Sequence, residues 1–192
     1  MKKFLVSALM LFAASTATFA QHAVGSFSLQ PKVGISIADM TDTQGTTSRI
    51  GFVGGLEGEY QAADIFSLSV GVNYSQEGFK MKNSDNKVKL DYVNVPILAN
   101  VYLTKGLAVK VGVQPGFNVG NSVTINGQTE SSSKKDYDGI KSVALSIPVG
   151  LSYEISNVVL DARYNWGVTK AFDALDSKNS VFQVTIGYKF QL

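Results

Sequence analysis

Apolar and polar residues alternate with a period of two through almost the whole chain after Gln21, and no stretch shows a convincing helical repeat. Eight segments of 12 or 13 residues carry this pattern, at residues 27 to 38, 49 to 60, 65 to 76, 92 to 103, 107 to 119, 142 to 154, 158 to 169 and 181 to 192. A tilted strand needs about 9 to 11 residues to cross the hydrocarbon core of a bilayer. The alternation therefore predicts an all-β chain whose strands are long enough to span a membrane.

The connections between these segments alternate between long and short. The long, polar ones are residues 39 to 48, 77 to 91, 120 to 141 and 170 to 180, and the tight turns are residues 61 to 64, 104 to 106 and 155 to 157. In an up-and-down barrel this puts every long loop at one end and every turn at the other, as in outer-membrane barrels. Asn126-Gly127 is a type I′ hairpin signal, which predicts that strands five and six continue beyond the membrane as a ribbon.

The two faces of the predicted strands differ in chemistry. One face is bulky and apolar, and in the last strand it consists of Phe182, Val184, Ile186, Tyr188, Phe190 and Leu192. The other face is mostly glycine and serine and holds the charged residues of the strands. The interior of an eight-stranded barrel is only just wide enough for side chains to fill it, so the bulky face fits better outside. The pattern predicts an eight-stranded antiparallel up-and-down transmembrane β-barrel with its charges inside.

Charged side chains inside such a barrel are tolerable only when they are paired and hydrogen-bonded. We therefore predict an interior ion-pair network with a structural role, formed by Lys32, Glu57, Glu59, Lys110, Glu154, Asp161, Arg163 and Lys189. Three charged residues, Lys89, Asp91 and Lys141, have the opposite parity, and we assign them to the region above the membrane. Pro96, Pro115 and Pro148 lie within predicted strands, where each removes a ladder donor, so local bulges are expected there.

The N-terminus has the pattern of a secretory signal peptide. Lys2 and Lys3 precede an apolar run from Phe4 to Ala14, and small residues lead to Ala20. The run is shorter than the roughly 20 residues of a transmembrane helix. The prediction is a signal peptide over 1 to 20, with a cut after Ala23 as the alternative, and a barrel domain over 21 to 192. With these features the chain is expected in the outer membrane of a Gram-negative cell.

Composition argues against several other functions. The chain has no cysteine, which excludes disulfides, thiolate metal sites and cysteine nucleophiles. Without Lys2 and Lys3 it carries 15 basic and 15 acidic residues, and no basic cluster is interleaved with aromatics, so no nucleic-acid partner is expected. The single histidine, His22, is expected outside the barrel, where it cannot complete a Ser-His-Asp triad. The loop aspartates lack EF-hand spacing. We expect no enzyme activity, cofactor or metal.

Five segments also carry a family resemblance. They read YVNVPILANVYL at 92 to 103, GLAVKVGVQPGF at 106 to 117, IPVGLSYEI at 147 to 155, LDARYNWGVT at 160 to 169 and VFQVTIGYKF at 181 to 190. In this order they resemble the PorT-like outer-membrane β-barrel family, whose barrels are of the OmpA/OmpX type. The resemblance implies insertion by the barrel-assembly machinery through the last strand, although the chain ends in Leu192 and not in an aromatic residue. Some members of the family are linked to protein secretion or gliding.

The expected function is that of a structural or interaction protein of the cell envelope, with a lumen filled by side chains. Its expected partners are outer-membrane lipid and, through loops 77 to 91 and 120 to 141, an envelope or surface protein; an accessory role in secretion fits the same pattern. One alternative is a narrow pore, although a water-filled channel usually needs about sixteen strands. The other is a soluble, lipocalin-like periplasmic carrier of an apolar ligand, with the apolar face inside.

Overall fold

The computed structural model describes residues 22–41, 45–82, 86–125, 128–132, 141–170 and 177–192. The predicted signal peptide (1 to 20) and the Asn126-Gly127 turn lie outside the described residues. Within them, no helix is long and apolar enough to cross a membrane.

All regular structure in the described residues is antiparallel β-sheet, as the alternation predicted. The strands are β1 (Phe27–Met40), β2 (Thr46–Ala63), β3 (Phe66–Met81), β4 (Lys87–Asn94), β5 (Ile97–Thr104), β6 (Leu107–Ile125), β7 (Gln128–Ser132), β8 (Val143–Ile155), β9 (Val158–Lys170), β10 (Lys178–Tyr188) and β11 (Phe190–Gln191). The order of strands in the sheet is β10-β9-β8-β6-β4-β3-β2-β1, β5 lies between β3 and β6, and β1 pairs with β10 and β11, which closes the sheet on itself.

These segments form a ring of eight strands. Strands β4 and β5 are two parts of one strand that is interrupted at Val95 and Pro96, and β10 and β11 are likewise separated only by Lys189. Strand β6 pairs with β8 as far as Phe117, and its end, from Asn121 to Ile125, pairs with β7. The prediction of an eight-stranded antiparallel up-and-down barrel is therefore confirmed. The ribbon is present in part: β6 continues to Ile125 as predicted, but it pairs there with β7, a strand separate from β8.

The two ends of the barrel differ as the loop lengths predicted. Two-residue turns join β2 to β3, β5 to β6 and β8 to β9, and this end is called the turn end below; the opposite end is called the loop end. Strands β2, β3 and β6 run well into the predicted long loops, to Thr46, Met81 and Ile125. These loops are shorter than predicted because the backbone ladder continues past the level where the outer face stops being apolar, and alternation no longer marks the strand there.

Bulky apolar side chains cover the outer face of the barrel. Trp166 is 59% exposed and Ile50 is 67% exposed. Near the turn end the outer aromatics are Tyr60, Phe66, Tyr153, Tyr188 and Phe190, and nearer the loop end they are Tyr74, Phe117 and Trp166. The two tyrosines of opposite parity, Tyr92 and Tyr102, are buried inside. An outer face of this composition suits lipid, and the aromatic bands match the girdles of outer-membrane barrels.

The prolines disturb the sheet less than we predicted. Pro96 breaks the strand between β4 and β5, yet its carbonyl accepts a hydrogen bond from Gly71 N at 3.0 Å. Around Pro148 the β6–β8 pairing is missing for two positions but resumes in the same register, and Pro115 pairs in register with Leu145. The prediction of a bulge at each proline is therefore wrong. A missing donor interrupts the ladder locally, whereas a change of register needs an extra residue.

Candidate functional site

The interior of the turn-end half holds all eight residues of the predicted ion-pair network. Each of them is 6% exposed or less. They come from β1, β2, β6, β8 and β9 and from the residue between β10 and β11. We call this set the ion-pair network, and it divides into two groups that share the lumen.

The first group is centred on Glu57 of β2. Its carboxylate lies 2.5 Å from Lys32 Nζ, 3.0 Å from Lys110 Nζ and 3.4 Å from Arg163 Nη2. Asp161 lies 2.9 Å from the same Arg163 nitrogen and 3.3 Å from Lys110 Nζ. Three cations therefore share two carboxylates in one buried cluster.

The second group is centred on Lys189, nearer the turn end. Its ammonium lies 3.0 Å from Glu59 and 2.9 Å from Glu154. Glu59 also accepts hydrogen bonds from the Tyr102 hydroxyl and, at 2.6 Å, from Ser67 Oγ. Two carboxylates here share one lysine, so the two groups together hold four basic and four acidic side chains. Mutual pairing and added donors are what buried charges require.

The sheet register makes room for these long side chains by placing glycine opposite them. Lys32 of β1 faces Gly55 on one neighbouring strand and Gly187 on the other. Lys110 and Arg163 both face Gly150 of β8. Glycine has no side chain to occupy the lumen, so the charged side chains can extend across it. The alternation of small and charged residues in the sequence thus has a packing reason.

His22 occupies a different place from the one the sequence predicted. We expected it outside the barrel, but its Nε2 lies 3.1 Å from Glu154 Oε1 at the turn end. The described chain begins with this residue, and Gly25 and Ser26 are hydrogen-bonded to Gln61. These bonds hold the segment before β1 against the mouth of the barrel, which alternation within the strands could not reveal.

A second polar region, in the loop-end half of the lumen, was missed by sequence reasoning. It contains a buried carboxylate, Glu77, with the neighbouring amides of Asn94 and Asn179. Glu77 was assigned to a loop, but it lies in β3 and faces inward. Its parity is that of Ser67, Ser69 and Gly71 in the same strand, and extending the strand by this parity would have found it.

The three charged residues assigned to the region above the membrane lie outside the lumen, unlike the residues of the ion-pair network. Lys89 and Asp91 of β4 alternate with the buried Leu90 and Tyr92, so they point outward near the loop end. Lys141 is exposed just before β8. All three therefore lie toward the loop end and outside the lumen.

Paired charged side chains occupy the described interior of the turn-end half. Within the residues that the structure describes, no group of three or more His, Cys, Asp or Glu side chains could hold a metal ion. The ion-pair network neutralises itself, and its side chains reach one another across the barrel.

Comparisons with known proteins agree with this architecture. Residues 19–173 match the family model described as outer membrane protein beta-barrel domain. Among solved structures, Ail, the attachment invasion locus protein of Yersinia pestis, is 19% identical with a TM-score of 0.55; the alignment covers 88% of this chain and 100% of Ail. Neisserial surface protein A is also 19% identical, with a TM-score of 0.54 and coverage of 86% and 97%. No curated protein matches in sequence.

At these identities the solved structures show a shared fold, that of an outer-membrane barrel. The family model spans most of the chain. The turn end, with its short connections, then faces the periplasm and the loop end faces outward. The chain belongs to the outer membrane protein beta-barrel domain family and is a protein of the Gram-negative outer membrane.

Proposed function

We propose that this protein is a non-enzymatic interaction protein of the cell surface, whose filled barrel anchors a basic patch that binds anionic saccharides. The patch consists of Lys80, Lys82, Lys87 and Lys89 on the β3–β4 hairpin, and it is the observation that carries the proposal. It lies within the loop 77 to 91 that the sequence singled out as a contact region.

Cross-strand pairing supports an outward direction for these lysines. Phe79 and Val88 are opposite each other and pack inside the barrel against Met40. The next pair, Lys80 and Lys87, therefore lies on the outer face, and Lys89 lies opposite Gly78 on that same face. Because side chains on a strand alternate, this part of the hairpin presents its positive charges away from the lumen.

The charges of the patch are not neutralised within the described residues. None of the four lysines forms an ion pair with a described acidic side chain. Lys80 lies directly opposite Lys87, and like charges in this arrangement disfavour strand pairing unless an anion lies between them. Along its other edge, β4 places Lys89 opposite Ser122 of β6. Lysines with hydroxyls beside them are the groups that bind phosphate or sulfate.

Ail of Yersinia pestis was solved in complex with the heparin analogue sucrose octasulfate. A barrel of this fold can thus present a binding surface to a highly sulfated sugar. For the present chain we propose the same chemical class, a sulfated or phosphorylated saccharide.

Binding of a sulfated polysaccharide to the full barrel in phosphatidylcholine vesicles tests this proposal. Native protein should bind fluorescent heparin, and binding should weaken with salt because exposed charges are screened. Replacing the four patch lysines by glutamine should reduce affinity by up to about a thousandfold, since each lysine near an anionic surface contributes roughly 1 kcal/mol. The matched control replaces four other lysines, at 105, 141, 170 and 178, and has the same net charge. Equal loss in both variants, or no binding by the native protein, would contradict the proposal.

A narrow pore remains the alternative function, and planar-bilayer conductance distinguishes the two. The proposed filled lumen predicts no steady channels, because the ion-pair network spans the interior at the turn end. Steady channels would favour the pore.

We also propose that the chain is a PorT-like barrel and that the barrel-assembly machinery inserts it. The five segments from YVNVPILANVYL to VFQVTIGYKF support a PorT-like barrel inserted by the barrel-assembly machinery through its last strand. An accessory role in secretion would follow from that assignment. Secretion measured in cells that lack this protein tests that role, and unchanged secretion would contradict it.

A further inference from the structure

The loop-end half of the lumen contains a buried carboxylate whose surroundings differ from those of every acid in the ion-pair network. Glu77 of β3 is 5% exposed. Its Oε1 accepts hydrogen bonds from Ser75 Oγ at 2.7 Å and from Asn94 Nδ2 at 3.3 Å, and its Oε2 accepts one from Asn179 Nδ2 at 3.1 Å. All three donors are neutral, so none of them brings a positive charge to the carboxyl group.

No basic side chain of the described residues forms an ion pair with this carboxylate. Arg49 of the neighbouring strand donates to the backbone carbonyl of Glu77, not to its carboxylate. In the ion-pair network, by contrast, each acid has at least one basic partner within 3.4 Å. An isolated ionised carboxylate is costly to bury unless a positive charge accompanies it.

A small cavity adjoins Glu77, and we call it the chamber. Its lining includes Asn94, Gln114, Asn165 and Asn179 together with Glu77. Asn165 is 2% exposed, and neither its Oδ1 nor its Nδ2 has a hydrogen-bond partner; Gln114 Oε1 also has none. Buried amides are normally satisfied. The chamber therefore brings together a buried carboxyl group without a basic partner and two amide side chains that have unpartnered polar atoms.

The size of the chamber restricts what it can hold. Its volume is about 20 Å³, and about 10–15 Å³ is enough for a single water molecule. There is room for one monatomic ion or one water, but not for a hydrated ion or an organic cation. One carboxylate balances one positive charge, and a set of carboxylate and amide oxygens suits a hard cation.

We propose that the chamber binds one monovalent metal cation, sodium or potassium, through the Glu77 carboxylate and the amide oxygens of Asn165 and Gln114. The cation supplies the positive charge that the ion-pair network obtains from lysine and arginine. The bound cation also contacts the amide oxygens of Asn165 and Gln114, which otherwise have no hydrogen-bond partner. Occupancy would stabilise the loop-end half of the barrel, where the outward loops are attached.

Unfolding of the full barrel in different salts tests this inference. Urea unfolding is followed by the fluorescence of Trp166, the single tryptophan, in sodium, potassium and N-methylglucamine chloride at equal ionic strength. A single site predicts that, above its dissociation constant, the unfolding equilibrium constant falls about tenfold for each tenfold rise in the free concentration of the cation that binds. N-methylglucamine, which cannot enter the chamber, should have no such effect.

Substitutions distinguish cation binding in the chamber from a general effect of salt on stability. Glu77→Gln should abolish the cation dependence, and Asn165→Leu serves the same purpose if the first variant does not fold. The control Glu154→Gln removes an interior carboxylate of the ion-pair network and should keep the dependence. Equal stability in all three salts would overturn the proposal and indicate a water-filled chamber, and so would a dependence that persists in both chamber variants. A thallium anomalous peak beside Glu77 in crystals grown with thallium would support it.

Discussion

The two halves of the lumen surround their buried carboxyl groups with different partners. At the turn end, four acidic and four basic side chains neutralise one another, and Glu57 alone contacts three cations. At the loop end, Glu77 is surrounded by hydroxyl and amide groups and contacts no described cation. Both carboxylates are buried. The difference is therefore in the source of the compensating charge and not in burial.

This contrast bears on what each half can do. The self-neutralised network ties β1, β2, β6, β8 and β9 together through buried ion pairs. The loop-end half has unpartnered amides and a cavity, so its stability can respond to the medium. Removal of one partner from a buried ion pair leaves an uncompensated charge, which costs more than the pair contributes in the native state.

The largest effect is expected for Glu57→Gln. The substitution leaves Lys32, Lys110 and Arg163 with one carboxylate, Asp161, among them. Loss of a buried ionic partner costs about 3 to 5 kcal/mol, measured as the free energy of urea unfolding. The matched variant is Glu77→Gln in N-methylglucamine chloride, where a cost of about 1 kcal/mol or less is expected because its partners are neutral. Equal costs would show that the two halves are alike.

A smaller loss is expected for Arg163→Met. Asp161 would keep Lys110, and Glu57 would keep both of its lysines, so we expect about 2 to 3 kcal/mol. The matched variant is Arg49→Met in the loop-end half. Arg49 bonds only a backbone carbonyl of Glu77 in the described contacts, so about 1 kcal/mol is expected. An unchanged unfolding midpoint for Arg163→Met would contradict a stabilising role for the network.

The smallest change in unfolding free energy is expected when the hydroxyl of an interior tyrosine, Tyr102 or Tyr92, is removed. Tyr102 donates to Glu59, and Tyr102→Phe should cost about 1 to 2 kcal/mol because the buried carboxylate loses a donor. Tyr92 in the loop-end half donates to no described carboxylate, so Tyr92→Phe should cost less. Unfolding of both variants under the same conditions provides the measurement. A larger loss for Tyr92→Phe would mean that its hydroxyl has a stronger partner than the described contacts contain.

Local pattern alone was sufficient to predict the strands, the barrel and the membership of the ion-pair network. Side-chain direction alternates along a strand, so the parity of Lys32 or Glu57 within its own segment already reports the face. The same rule should have reached Glu77, but the outer face of β3 becomes polar near the loop end and the segment was ended too early. The prediction failed there because the environment changes from lipid to water while the strand continues.

The sequence by itself determined that this chain forms an eight-stranded barrel with apolar residues outside and charged residues inside, because both properties follow from the two-residue period and from loop lengths. Only the tertiary structure decided which charges meet. Arg163 and Glu57 are 106 residues apart, Lys189 and Glu59 are 130 apart, and His22 and Glu154 are 132 apart. Their contacts depend on strand stagger and on the closure of β1 against β10, which are properties of the whole ring and not of any segment.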